Sequence, residues 1–274
     1  MKPHLCLLLP LLCAIRLSAA PAATEPTNAE EAAKQKAAAE AGVAVKYREW
    51  VATLSPGRQA WEKVLQENLG NFYLPIHQKE KIEGRANAWD FVEDDPALPR
   101  VLLIGDSVSR GYTQAARKAL EGKANLHRAP ANCGPTKQGI EKLEVWLGQG
   151  RWDLIHFNFG IHDRATPLEE YRERLGQIMD RLAATGATLV WATTTPIPDT
   201  KDGKYAALSI VERNGAALEL AKEKGIAVND LFAAMTPRLA EYQPAEDVHF
   251  KAPGYDFLGA TVAAAIMAAL EKAP

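Results

Sequence analysis

Ser107 is the residue of this chain that is best placed to do chemistry. It follows an apolar run at residues 101–105, and a stretch with helical spacing begins directly after it. A strand that leads straight into a helix puts such a hydroxyl at the carboxyl edge of a parallel sheet, where α/β proteins bind ligands. The backbone amides at the start of the helix can stabilise an anion there. Because serine is also a common helix cap, capping is the competing role for Ser107.

A serine hydroxyl is a poor nucleophile until a base removes its proton. His249 is the best candidate for that base, because it lies in a polar loop before a C-terminal helix, where the loop can fold back over the sheet edge. Glu246 and Asp247 lie three and two residues before it, and either carboxylate could orient the imidazole. His127 and His156 fall within predicted strands and are expected to have structural roles.

The composition excludes several classes of protein. The 274 residues carry a net charge of −2 and no basic patch, so nucleic acid is not expected to be the main partner. Of the three cysteines, Cys6 and Cys13 lie in an N-terminal segment that we expect to be removed. The remaining Cys133 cannot form a disulfide within one chain, and no Cys–His spacing around it is typical of a metal site. We therefore expect neither a metal nor an organic cofactor.

Residues 1–23 have the features of a secretory signal peptide. A positive start at Lys2 is followed by an apolar stretch and by the small residues SAAPAA. The apolar stretch is too short to span a membrane, and neither cysteine in it follows the small residue that a lipoprotein signal needs. We expect cleavage after Ala20 or Ala22 and export to the periplasm or the extracellular medium, with no stable membrane anchor.

The rest of the chain divides into a leader and a domain. Residues 24–99 are predicted to be a helical leader, broken at Pro56, that ends in an irregular connection over residues 71–99. From residue 100 to residue 274, strand patterns alternate with helical ones, which predicts a parallel sheet with helices on both faces. The predicted strands lie near residues 101–105, 125–128, 154–158, 187–193 and 226–228.

Four short blocks resemble the GDSL/SGNH hydrolase superfamily, and they occur in the order that this superfamily has. They are GDSVSRG, NCGPT, FGIHD and EDVHF, at residues 105–111, 132–136, 159–163 and 246–250. The resemblance implies a three-layer α/β/α fold similar to flavodoxin, with a five-stranded parallel sheet. It also implies an esterase or lipase that needs no cofactor.

The resemblance assigns roles to particular residues. It implies that Ser107 is the nucleophile, that His249 is the base, and that the backbone amides of Ser107 and Gly134 form part of an oxyanion hole. The third block departs from the usual G-x-N-D pattern, since His162 occupies the place of the asparagine. A neutral imidazole can donate one N–H, so His162 could complete the hole, although the change could also mark a lost or altered activity.

The acid that orients the histidine is the second departure. The superfamily places an aspartate three residues before the histidine, where this chain has Glu246, and Asp247 comes next. A glutamate is one methylene longer and can still orient a histidine. We therefore favour Glu246 as the acid, with Asp247 as the alternative.

Together these features suggest a secreted serine esterase that acts on a small-molecule or carbohydrate ester. We expect a short acyl group, with an acetyl group on a carbohydrate as the first choice. Two alternatives remain open: a lipase or thioesterase with the same fold, and a carbohydrate-binding protein that has lost its turnover.

Overall fold

The computed structural model of the chain describes residues 28–203 and 205–272. The chain divides into two units, Met1–Ala41 and Gly42–Pro274. In the first unit, residues 31–41 are exposed and helical. The predicted signal peptide, residues 1–23, lies outside the described residues.

The leader is more regular than the sequence predicts. It contains α1 (Asn28–Ala52), α2 (Pro56–Asn68) and α3 (Gly70–Ile82). The predicted break at Pro56 is confirmed. The prediction that residues 71–99 form an irregular connection is wrong for the first part of that range, which belongs to the helix α3. Pro75 lies inside this helix and weakens it locally. Packing outweighs that cost, since Tyr73 and Leu74 join a buried cluster around Trp89.

A buried carboxylate joins the helices of the leader. The Glu62 carboxylate on α2 accepts a hydrogen bond from the Tyr47 hydroxyl, and it lies 2.8 Å from His77 Nε2 on α3. On its other side, His77 Nδ1 accepts a hydrogen bond of 3.0 Å from the Asn87 side-chain amide. The His77 proton is therefore on Nε2. Residues 42–99 belong to the same compact unit as the sheet, so the predicted boundary at residue 100 falls inside that unit.

A five-stranded parallel sheet forms the centre of the molecule, in the strand order β2-β1-β3-β4-β5. Each strand lies within a few residues of its predicted position, so the predicted sheet is confirmed. The strands are β1 (Arg100–Ile104), β2 (Asn125–Arg128), β3 (Leu154–Phe157), β4 (Thr188–Ala192) and β5 (Ala227–Asn229). The helices after β1 are α4 (Ser107–Ala119), α5 (Thr136–Leu147), α6 (Leu168–Ala183), α7 (Ala207–Glu223), α8 (Leu231–Met235), α9 (Leu239–Tyr242) and α10 (Ala252–Leu270).

Side chains that alternate along the strands divide the core into two layers. On β1, Leu102 and Ile104 pack with α5, α6 and α7, whereas Val101 and Leu103 pack with α4 and α10. A parallel strand that is buried on both faces in this way lies between two layers of helices. The three-layer α/β/α fold that the resemblance implied is therefore confirmed.

Helix α10 is apolar, and it contributes its larger side chains to the core. Among the described residues it is the helix whose length and hydropathy would suit a membrane span. Its side chains Leu258, Val262 and Ile266 are nevertheless fully buried in the cluster that α10 shares with α4 and the sheet. The two helices approach closely at Gly259, where an added Cβ would lie 2.5 Å from the Ala115 Cβ.

The close contact between α4 and α10 predicts that Gly259→Ala lowers the free energy of unfolding by about 1–3 kcal/mol, because the methyl group overpacks the helix interface. Gly215→Ala is the matched control. Gly215 also lies within a helix, but an added Cβ there meets no atom within 4 Å. We expect this control to stabilise the protein by up to about 1 kcal/mol. Urea unfolding of both variants measures the difference, and equal changes would contradict the packing account.

Candidate active site

Ser107 begins helix α4, directly after the corner that follows β1. The residue that caps this helix is Asp106, whose carboxylate accepts a hydrogen bond of 2.9 Å from the Val108 amide. The competing role of Ser107 as a helix cap is therefore filled by its neighbour. The Ser107 hydroxyl is left available for other contacts at the carboxyl edge of the sheet.

The structure brings Ser107 and His249 together. Ser107 Oγ lies 2.9 Å from His249 Nε2, although the two residues are 142 positions apart in the chain. The loop that carries His249 lies between α9 and α10, and it reaches back over the edge of the sheet where α4 begins. The His249 side chain is 44% exposed, so the pair can be reached from solvent.

Asp247 completes a line of hydrogen bonds behind the histidine. Its Oδ1 lies 2.8 Å from His249 Nδ1 and also accepts a bond of 3.1 Å from the His249 backbone amide. Partial desolvation would raise the pKa of Asp247, but these hydrogen bonds from His249 hold it below its usual value. An ionised carboxylate can only accept, so the imidazole proton is on Nδ1. Nε2 is then free to accept the Ser107 proton.

The expectation that Glu246 orients the histidine is not met, because the geometry favours the alternative, Asp247. Glu246 is exposed and has a φ of 59°, and no other non-glycine residue in the described ranges has a positive φ. This left-handed turn changes the path of the loop, so the carboxylate two residues before His249 faces the imidazole. For an ordinary residue the turn costs about 1–2 kcal/mol.

The residues predicted to bind an oxyanion have different surroundings. The Ser107 amide lies in the first turn of α4, where backbone N–H groups have no partner within the helix. The Gly134 amide donates a hydrogen bond of 3.1 Å to the Gln138 side chain. His162 is exposed on the short 3₁₀ turn Ile161–Asp163. An oxyanion can therefore use the Gly134 amide only if the Gln138 side chain moves away.

Hydrogen bonds of Asp163 link the block at residues 159–163 to the block at residues 132–136. It is fully buried and accepts hydrogen bonds of 2.8 Å from the Thr136 amide and 2.7 Å from the Thr136 hydroxyl. Burial raises the pKa of Asp163, and the bonds from Thr136 partly offset that rise. A second link fixes the loop at the nucleophile, where the Cys133 amide donates to the Gly105 carbonyl at 3.1 Å.

Arg128 is a residue of this site that the sequence reasoning missed. It is 1% exposed and donates hydrogen bonds to the carbonyl oxygens of Gly105 and Asp106, at 2.8 and 2.9 Å, and to Ser109 Oγ at 2.6 Å. Burial lowers the pKa of its guanidinium group. The arginine holds the corner before Ser107 in place. Only the pairing of β1 with β2 brings it there, so no local motif could have identified it.

The described residues offer neither a reactive thiol nor a metal cluster at this site. Burial raises the pKa of Cys133 to about 12, so its side chain stays a neutral thiol. Across residues 28–203 and 205–272, no group of three His, Cys, Asp or Glu side chains could hold a metal ion.

The sequence of this chain matches the model of a known protein family. Residues 103–257, more than half of the chain, match the model of the GDSL-like lipase/acylhydrolase family. The chain belongs to that family. The matched region contains Ser107, Asp247 and His249, and membership makes this GDSL-like acylhydrolase an enzyme that hydrolyses ester bonds.

Solved structures share the fold of the GDSL-like acylhydrolase at low sequence identity. A lipase/acylhydrolase from Enterococcus faecalis is 21% identical, with a TM-score of 0.56 over 62% of this chain and 96% of the other. An acetyl xylan esterase is 15% identical, with a TM-score of 0.54 over 61% and 99%. An acetylxylan esterase from Geobacillus stearothermophilus is 15% identical, with a TM-score of 0.53 over 63% and 94%. No curated protein matches the sequence.

The two neighbouring carboxylates give a direct test of the site of the GDSL-like acylhydrolase. Asp247→Asn should lower kcat for ester hydrolysis by up to about 10⁴-fold, because an amide facing Nδ1 no longer holds the imidazole in the required tautomer. Glu246→Gln is the control and should leave kcat within about twofold, since Glu246 is an exposed side chain. Steady-state kinetics on one soluble ester compare the two. A larger loss in Glu246→Gln would show that the acid is misassigned.

Proposed function

We propose that this GDSL-like acylhydrolase cleaves carboxylic esters in two steps, through an acyl-enzyme on Ser107. The observation that supports this most strongly is the line of hydrogen bonds from Ser107 to His249 to Asp247, at 2.9 and 2.8 Å. Such a line activates a serine hydroxyl because the imidazole takes its proton while the carboxylate stabilises the resulting imidazolium.

In the first step, Ser107 Oγ attacks the carbonyl carbon of the ester and His249 Nε2 takes the hydroxyl proton. The Ser107 amide, the Gly134 amide once Gln138 has moved, and His162 are the proposed donors to the oxyanion. The bond between the carbonyl carbon and the alcohol oxygen then breaks. His249 gives its proton to the departing alcohol, and the acyl group stays on Ser107.

In the second step, water replaces the alcohol. His249 takes a proton from the water, which attacks the carbonyl carbon of the acyl-enzyme. The bond to Ser107 Oγ breaks, and His249 returns the proton to the serine. The carboxylic acid leaves, and the enzyme is restored without a metal ion or an organic cofactor in any step.

We propose a short acyl group as the substrate, with acetyl esters of carbohydrates as the first choice. Two proteins with similar structures are acetyl xylan esterases by name, which supports this choice. The signal-like pattern of residues 1–23 supports export, which would bring the enzyme to extracellular polysaccharides. N-terminal sequencing of the secreted protein tests the export: a chain that begins after Ala20 or Ala22 supports it, and an intact residue 1 contradicts it.

The proposal predicts that p-nitrophenyl acetate is hydrolysed and that Ser107→Ala abolishes the activity. Ser209→Ala, which removes an exposed serine hydroxyl on α7, should leave the activity within about twofold. Rates that rise with acyl chain length from acetate to dodecanoate would favour a lipase. If neither the wild-type protein nor Ser209→Ala hydrolyses any ester, the proposed function is wrong.

The same assay predicts the direction of the pH dependence. The value of kcat/KM should fall as the pH is lowered from about 8 to about 5, because a protonated His249 cannot take the Ser107 proton. Asp247 stays ionised over the range, since hydrogen bonds from His249 hold its pKa below the usual value. A flat profile would contradict the role of His249 as the base.

A further inference from the structure

Helix α4 is covered on two faces, and Ser107 lies at its start between them. One face meets α10, where a Cβ added at Gly111 would overlap the Tyr255 ring. The other face meets the leader, where the Gln114 side chain donates a hydrogen bond of 2.5 Å to the Asn87 carbonyl. Ser107 therefore lies between two different parts of the chain, α10 and the leader.

Tyr73 is the leader residue that stands beside Ser107. Its ring centroid lies 5.7 Å from the guanidinium carbon of Arg110, which is one helical turn after Ser107 on α4. Residues three apart in a helix lie on the same face, so Arg110 and Ser107 share the face of α4 that the Tyr73 ring approaches. Burial raises the pKa of the Tyr73 hydroxyl, while Arg110 and hydrogen bonding to the Ser107 side chain lower it.

Aromatic packing holds the Tyr73 ring in this position. It meets Trp89 edge-on, with 5.5 Å between the ring centroids, and Arg110 also lies 5.3 Å from the Trp89 ring. Trp89 itself is fully buried, and its backbone amide donates a bond of 2.9 Å to the Asn87 side chain. The half-buried Tyr73 ring is thus a fixed wall, because moving it would disturb a buried tryptophan.

The two sides of Ser107 differ in which part of an ester they can meet. His249 comes from the loop before α10, and in the proposed mechanism it must protonate the departing alcohol. The alcohol therefore lies on the α10 side of Ser107. The acyl group stays bonded to Ser107 Oγ, and the side of Ser107 that faces away from the His249 loop is the leader side, where Tyr73 stands.

We propose that Tyr73 forms the end wall of the acyl pocket and restricts this enzyme to short acyl groups such as acetyl. This inference rests on the proposed function and adds a residue that determines specificity. It gives the leader a role in the active site, although the sequence blocks of the family begin only after it.

The test compares kcat/KM for p-nitrophenyl hexanoate with kcat/KM for the acetate. In Tyr73→Ala this ratio should rise by at least about 10-fold, because each methylene that gains a place in an apolar pocket adds a factor of this size. Tyr73→Phe keeps the ring and should keep the wild-type ratio. Tyr73→Leu retains an apolar side chain against Trp89, so it provides the same comparison, with a smaller rise, if the alanine variant does not fold.

Phe91→Ala is the matched control. It removes an aromatic ring from the same segment, but that ring lies 5.8 Å from Arg58 rather than beside the catalytic helix. The control should leave the ratio unchanged. An unchanged ratio in folded Tyr73→Ala or Tyr73→Leu, with acetate still hydrolysed at Ser107, would overturn the inference and leave the proposed function standing. Loss of all hydrolysis in the wild-type protein would instead overturn the proposed function.

Discussion

The hydrogen bond between Ser107 and His249 is the interaction on which the rest of the site depends. It forms because α4, which begins at Ser107, and α10, which follows the His249 loop, pack side by side on one face of the sheet. The glycine at position 259 lets the two helices approach closely. The packing of α4 against α10 therefore helps to keep Ser107 Oγ and His249 Nε2 2.9 Å apart, although the close helix contact lies away from both side chains.

The other residues of the site also lie at the carboxyl edge of the sheet. The block around Gly134 follows β2, and the block around His162 follows β3. Both therefore lie at the same sheet edge as Ser107, which follows β1. Buried polar contacts then fix the loops: Asp163 binds Thr136, and Arg128 holds the corner before the nucleophile. A buried charge of this kind is tolerated only with several hydrogen-bonding partners, and these partners are the backbone groups that position Ser107.

The sheet and the serine–histidine pair could be predicted because both have strong local signals. Buried strands alternate with amphipathic helices, and the GDSVSRG and EDVHF blocks lie at the ends of such elements. The choice of Asp247 over Glu246 could not be predicted, because it depends on one left-handed backbone angle. Tyr73 and Arg128 could not be found either, since packing between distant segments brings them to the site. The helix around Pro75 was missed because local propensity opposes it and tertiary contacts stabilise it.

Covalent labelling tests the central claim most directly. A fluorophosphonate reacts preferentially with an activated serine, and peptide mass mapping identifies the modified residue. The account predicts a single modification at Ser107 that is lost in Ser107→Ala and slowed at least about 100-fold in His249→Ala. Modification of a different residue, or labelling of Ser107 at an unchanged rate without His249, would contradict it.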